Sequence, residues 1–209
     1  MNSTVFKYLL LSISTILINE LFKEALHFDE LLYNSLTEQF TSKQIEKLFE
    51  FQKKWQWVSY TFIPILLLIK TSIIATILYV GLFFYSKDLN FKSLFNVALK
   101  AEFIFLLVPI CKIIWFCFFQ THFSLEDIQY FYPLSALNIV GYKGLETWFI
   151  YPFQVLNLFE LFYIIYLGVQ IGKLTNTNTD YGLTIISYSY LPSLLIWISA
   201  VMFFTLNFS

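Results

Sequence analysis

The sequence contains no arginine: all 13 of its basic residues are lysine. That removes the planar guanidinium fork, the usual bidentate clamp for phosphate or carboxylate. Charge of either sign is scarce, at 13% of residues, against about 25% in an ordinary soluble domain. The net charge is −1, so the chain lacks the basic footprint of a nucleic-acid partner. Cysteine is limited to Cys111 and Cys117, both inside one apolar block. Their spacing puts them on different faces of a helix. That suits small packing residues better than a disulfide or a metal pair.

Histidine is limited to His27 and His122. His27 stands beside Asp29 and Glu30, and His122 stands four residues before Glu126, a metal-compatible helical spacing. Neither has a second histidine near it, so both read as interfacial side chains. The sequence has no His-Glu-x-x-His zinc motif, no Gly-x-Ser-x-Gly elbow and no P-loop. Lys70 and Ser72 evoke a Ser-Lys dyad, but residues two apart on a helix do not face each other. No enzyme activity, cofactor or metal is expected.

What the chain has in abundance is apolar length. Hydrophobic residues make up 58% and aromatic residues 21%. Trp57–Tyr85 is one apolar block broken by charge only at Lys70, and Ser93–Phe119, Trp148–Ile171 and Gly182–Leu206 follow. A span needs about 20 apolar residues to cross a hydrocarbon core of ~30 Å. A compact soluble domain has no place for four such blocks. The lysine-only, Phe-, Ile- and Asn-rich composition reads as the codon bias of an AT-rich genome, which favours a bacterial inner (cytoplasmic) membrane.

The expected fold is all-α: a single membrane domain over residues 1–209, built as a polytopic transmembrane helix bundle. Val5–Phe28 is long enough to be a first span, giving five in all. Glu20, Lys23 and Glu24 in its second half leave the alternative of a surface-lying amphipathic helix and four spans. Lys7 before the apolar run Tyr8–Ile18 resembles a signal peptide. No small-x-small cleavage site follows, so the segment reads as uncleaved.

Two connectors are distinctive. Residues 29–56 are polar, with Thr41 and Ser42 as candidate caps and Ile45, Leu48, Phe49 and Trp55 at helical spacing. This helix runs directly into the Trp57 span. Trp55, Trp57 and Tyr60 cluster at the junction as an aromatic belt. The stretch reads as a solvated lead-in helix, or as a docking surface using Ile45, Leu48, Phe49, Trp55 and Trp57.

Residues 120–147 begin with a capping-box pattern at Ser124–Asp127. Tyr132-Pro133 then opens an apolar piece, Leu134–Val140, closed by Gly141. It is expected to lie at the outer membrane face and cap the bundle, and any ligand entrance is expected there. Tyr151-Pro152 is expected to open the next span in the same way. Pro64 and Pro192 should kink their helices, and residues 86–92 and 172–181 read as turns.

The positive-inside rule places 120–147 outside the cytoplasm, since it holds Lys143 against Glu126, Asp127 and Glu146, while Lys87, Lys92, Lys100 and Lys173 flank the other side. With five spans the N-terminus is cytoplasmic and the C-terminus outside. Residues 29–56 are then outside too, which their lysines oppose.

The costly charges are Lys70, Glu102, Lys112 and Glu160. An unpaired one costs at least ~2.5 kcal/mol on insertion scales, so they should snorkel, pair or line a pathway. Glu160 and Lys112 lie at similar depth, about 12 Å and about 10 Å from one face at ~1.5 Å per residue. They are the expected pair, with Lys70 as the next partner for Glu160.

The final third resembles the Yip1-type family of five-span membrane proteins. The resemblance rests on Leu156-Asn157-Leu158-Phe159-Glu160-Leu161-Phe162-Tyr163, then Gly168 and Gly172, a polar turn and a last apolar span. The chain departs from the family by lacking its long polar N-terminal region and the Asp-Leu-Tyr-Gly-Pro motif of eukaryotic members. The resemblance implies a role in membrane traffic or as a membrane adaptor, with a cytoplasmic N-terminus, a C-terminus across the membrane and no catalytic residue to carry over. The function expected is therefore a non-enzymatic accessory or scaffold subunit of a larger inner-membrane complex, for example in export or secretion. Its partners would be the lipid bilayer and other integral membrane subunits. The alternative is a small-solute permease or channel using the intramembrane Lys and Glu groups.

Overall fold

The computed structural model describes residues 3–37, 39–85 and 90–208. Ten α-helices follow one another among them: α1 (Ser3–Ala25), α2 (Phe28–Leu36), α3 (Ser42–Phe84), α4 (Phe91–Ala101), α5 (Leu107–Phe118), α6 (Leu125–Tyr130), α7 (Ala136–Val140), α8 (Thr147–Val155), α9 (Leu158–Leu174) and α10 (Thr179–Phe208). A 3₁₀ segment, Glu102–Leu106, joins α4 to α5. The fold is a helical bundle. Four of its stretches are long and apolar enough to cross a membrane: α1, α3, α4 through α5, and α10. The turn expected over 86–92 has Lys87 and Asp88 outside the described residues.

α3 joins two regions of opposite character in one helix of 43 residues. Its start is fixed by Gln44, whose side-chain oxygen accepts from the Thr41 backbone N–H at 3.0 Å and hydroxyl at 2.8 Å. At 1.5 Å per residue the helix is roughly 65 Å long, about twice the hydrocarbon thickness. Its polar first third therefore projects beyond the apolar remainder. Pro64 lies inside this helix without ending it. The Tyr8 hydroxyl of α1 donates to the Pro64 carbonyl at 2.7 Å.

The core lies between α3, α4, α9 and α10. Leu78 and Leu82, Leu94 and Ala98, Tyr163 and Leu167, and Ile185 and Ile186 are its buried centre. Elsewhere large apolar side chains face outward, among them Leu66, Phe83, Ile196 and Phe203. That is the pattern of a bundle solvated by lipid, where association depends on close packing. Small residues provide it. A Cβ on Gly182 would fall on the Gly168 carbonyl oxygen, and one on Gly172 on the Asn178 carbonyl. A Cβ on Gly81 would meet the Ser189 side chain.

Three expectations need correction. The stretch Trp148–Ile171 is not one helix: the chain breaks at Leu156–Asn157, and the Asn157 side chain caps α9 by accepting from the Glu160 N–H. Pro152 therefore sits inside the short helix α8 instead of opening a span. The apolar piece after Pro133 does not become helical at Leu134, whose φ is +55°. The helix begins only at Ala136. The physical reason is shared: the two irregular strips satisfy each other. Ala136 N–H donates to the Leu156 carbonyl at 2.8 Å and Leu158 N–H to the Leu134 carbonyl at 3.2 Å. Irregular backbone at membrane depth is tolerated only with such partners.

The 3₁₀ segment has its own cause. In a regular helix the Pro109 ring would collide with the Phe105 carbonyl. Tightening Glu102–Leu106 relieves that contact within an otherwise helical stretch.

Candidate functional site

Glu102 is the most buried charged side chain among the described residues, 3% exposed. The tightened turn directs it into the bundle. There its Oε2 lies 2.7 Å from the Lys70 ammonium, and its Oε1 accepts from the Tyr163 hydroxyl at 3.2 Å. Lys70 is half-exposed and also stands 4.3 Å over the Phe105 ring. Its long stem reaches the acid from an outward-facing position, as snorkelling side chains do.

Glu160 is in the first turn of α9. A helix N-terminus favours a negative charge there. Its Oε1 accepts from the Tyr190 hydroxyl of α10 at 2.7 Å. The Tyr190 ring is 5.5 Å from that of Tyr163, which lies 5.0 Å from Phe105. Lys70–Glu102–Tyr163 and Tyr190–Glu160 are thus two hydrogen-bonded groups joined by the contact of the two tyrosine rings, a string through an apolar core carried by α3, the 3₁₀ segment, α9 and α10.

The expected Glu160–Lys112 pair does not form. Lys112 donates instead to the Ile128 carbonyl at 3.1 Å. The two depths match only if Trp148–Ile171 is one continuous span. The break at Asn157 turns α9, and Glu160 with it, toward Tyr190. Of the four costly charges, the two that pair are Lys70 and Glu102. From the sequence, Tyr163 stands out only within the family resemblance, and Tyr190 not at all. Tyr163 carries a signal: it follows Glu160 by three residues, on the same helix face. Tyr190 carries none that separates it from its neighbours.

Glu160 also borders a half-open cavity of about 1320 Å³ between α5, α6, α7, α9 and α10. Apolar side chains of α9 and α10 form one side, and α7 with the segment before it closes another. The roof is held by the paired strips at Leu134–Ala136 and Leu156–Leu158, and by the Gln154 amide donating to the Tyr130 carbonyl at 3.4 Å. Asp127 at its edge closes the α6 cap: its Oδ2 accepts from the Ser124 N–H at 2.8 Å, and its Oδ1 from the Tyr142 hydroxyl at 3.1 Å. The Ser124 backbone bond holds the Asp127 carboxyl below the ordinary carboxylate range; the Ser124 and Tyr142 hydroxyls and Lys143 add to this, against partial burial.

The docking candidates divide by face. Ile45 is fully buried, and the Phe49 ring packs 6.1 Å from Tyr33 of α2. Leu48, Trp55 and Trp57 are exposed. Beside them lies a second cleft of about 1030 Å³, lined by Glu20, Glu24, Asp29, Glu30, Glu46 and Glu50 with Lys23, Lys53 and His27. Among the described residues no three His, Cys, Asp or Glu side chains are placed to hold a metal ion. Cys111 and Cys117 are both free. Comparison with protein-family models, curated proteins and solved structures finds no match.

Proposed function

We propose that the chain is a non-enzymatic subunit or adaptor of a larger bacterial inner-membrane complex. The observation that carries this reading is the unpartnered face of projecting α3. Leu48, Phe51 and Trp55 are 46%, 63% and 45% exposed and recur at i, i+3 and i+7, which is one helix face. They stand among Lys43, Glu46, Lys47, Glu50, Lys53 and Lys54, on the part of the helix that precedes the apolar block. Lipid contact explains exposed apolar residues in the bundle; on a charged, projecting segment an apolar stripe rimmed by charge suits a protein partner. The Yip1-type resemblance of the final third supports the same role.

In this reading α1, α3, α4 through α5, α9 and α10 are five spans, with the N-terminus cytoplasmic and the C-terminus outside. α9, with 17 residues, crosses with help from α8 and the roof. Reporter tags at both ends test the topology, and termini on one side would refute it.

The partner is tested by purification in mild detergent. The wild-type chain should bring down defined membrane proteins. The combined Leu48→Glu, Phe51→Glu and Trp55→Glu variant should lose them while keeping its thermal stability. A monodisperse protein that purifies alone and confers solute flux on liposomes would overturn the reading. It would favour a small-solute permease, the second reading, whose support is the polar string leading to the Glu160 cavity.

A further inference from the structure

The cavity bordered by Glu160 has a polar end and an apolar side. Toward α9 and α10 it is walled by Leu161, Ile164, Leu191, Leu194, Leu195 and Ile198. Toward the connector its wall includes Asp127, Ser135, Asn138 and Tyr142. Its volume of about 1320 Å³ exceeds the ~300–1,000 Å³ of most drug-sized ligand sites. That is room for an extended chain and a head group together.

The charges at the cavity have one sign. Among the described residues the carboxylates lining it are Glu160 and Asp127, and no lysine lines it. The nearby lysines make no bond to Glu160: Lys70 bonds Glu102, Lys112 donates to the Ile128 carbonyl, and Lys143 stands 5.8 Å over the Tyr142 ring, on the side of Asp127. Glu160 has one carboxylate oxygen bonded by Tyr190. Its other oxygen has no protein donor among the described residues. An acid bordering an apolar cavity at membrane depth is costly without a counter-charge, and a cationic ligand supplies one.

We propose that this cavity binds an amphiphile with a long aliphatic tail and a protonated primary amine. The ammonium group bonds Glu160 below the α7 roof, and the tail lies along α9 and α10. The proposal is independent of the docking stripe on α3, which is on another part of the molecule.

The test is equilibrium binding of a radiolabelled long-chain primary amine to the full chain in phosphatidylcholine nanodiscs, with empty nanodiscs as the blank. The alcohol and the carboxylic acid of equal chain length are the comparators. The amine should bind saturably at one site, roughly ten-fold tighter than the alcohol, as a charge-assisted hydrogen bond implies. The acid should bind more weakly still.

Glu160→Gln keeps an oxygen for the Tyr190 hydroxyl and should abolish the preference for amine over alcohol. Leu195→Trp should lower occupancy by all tailed ligands by filling the apolar side. Three results would overturn the proposal: equal uptake of amine, alcohol and acid, an amine preference that survives Glu160→Gln, or uptake no greater than in empty nanodiscs. The last is the result expected if a partner's transmembrane helix fills the cavity.

Discussion

The α9–α10 pair is built in two ways along its length. At the turn end, Gly168, Gly172 and Gly182 bring the two backbones into contact. At the other end, Leu161, Ile164, Leu191, Leu194 and Leu195 face a cavity that the same helices help to wall. The elements and the membrane environment are the same, yet one end is closed and the other open. Side-chain volume is the difference. Without a strong hydrophobic force between helices in lipid, backbones approach where side chains are small and separate where they are large. The polar string crosses between the two regions, with Tyr163 and Tyr190 on the closed side and Glu160 at the open one.

The comparison can be broken most directly at the closed end. Gly182→Val should produce the largest effect, a loss of about 3 kcal/mol or failure to fold, because the added atoms meet backbone and not a movable side chain. Gly141→Val is the control: it has open space but a φ of +81°, so its cost is one of backbone strain, about 1–2 kcal/mol. Thermal unfolding in detergent distinguishes them. Equal losses would mean that the glycine contact does not close the pair.

The next effect is at the polar string. Glu102→Ala removes the carboxylate from Lys70 and the acceptor from Tyr163. A loss of about 2 kcal/mol is expected, below that of a fully buried pair, because Lys70 is half-exposed and can snorkel. Adding Lys70→Ala should recover part of it. A double-mutant cycle with no coupling would show that the string is a coincidence of packing.

The smallest effect lies on the connector. Asp127 has a folded pKa below its ordinary value of 3.8. Its contribution to the α6 cap is therefore complete above that value and is lost as pH falls through the lower folded pKa. Hydrogen exchange along α6 should be unchanged between pH 7 and 5 after correction for intrinsic rates, and should rise below pH 3.8. Asp127→Asn should remove most of this pH dependence and cost less than about 1 kcal/mol.

Much of the bundle was legible because apolar length and caps are local signals. The unbroken run of the polar helix into the Trp57 block, the Ser124–Asp127 cap, and the closure of α7 by Gly141 all read directly. The break at Asn157 did not. Asn157 shares the run Trp148–Ile171 with other polar residues, Gln154 and Glu160 among them, so nothing marks it as the break, and its role depends on the Leu134 strip, more than twenty residues earlier, supplying the missing hydrogen bonds. Missing that break moved Glu160 and produced the wrong partner for it. Pro109 was visible, and so was its clash with the carbonyl four residues earlier; that the tightened turn would carry Glu102 into the core was not. Sequence named all four intramembrane charges; pairing them needed the tertiary fold.

The unbroken α3 has a mechanical consequence. Phe51 and Lys70 are on the same rod, about 28 Å apart at ~1.5 Å per residue. One continuous helix therefore joins the exposed Phe51 face to the ammonium bonded to Glu102. The ladder of that rod lacks a rung at Pro64, which has no N–H to donate, and there the Tyr8 hydroxyl ties it to α1. Load on α3 is therefore shared with α1 at its weakest point, before it arrives at the buried acid.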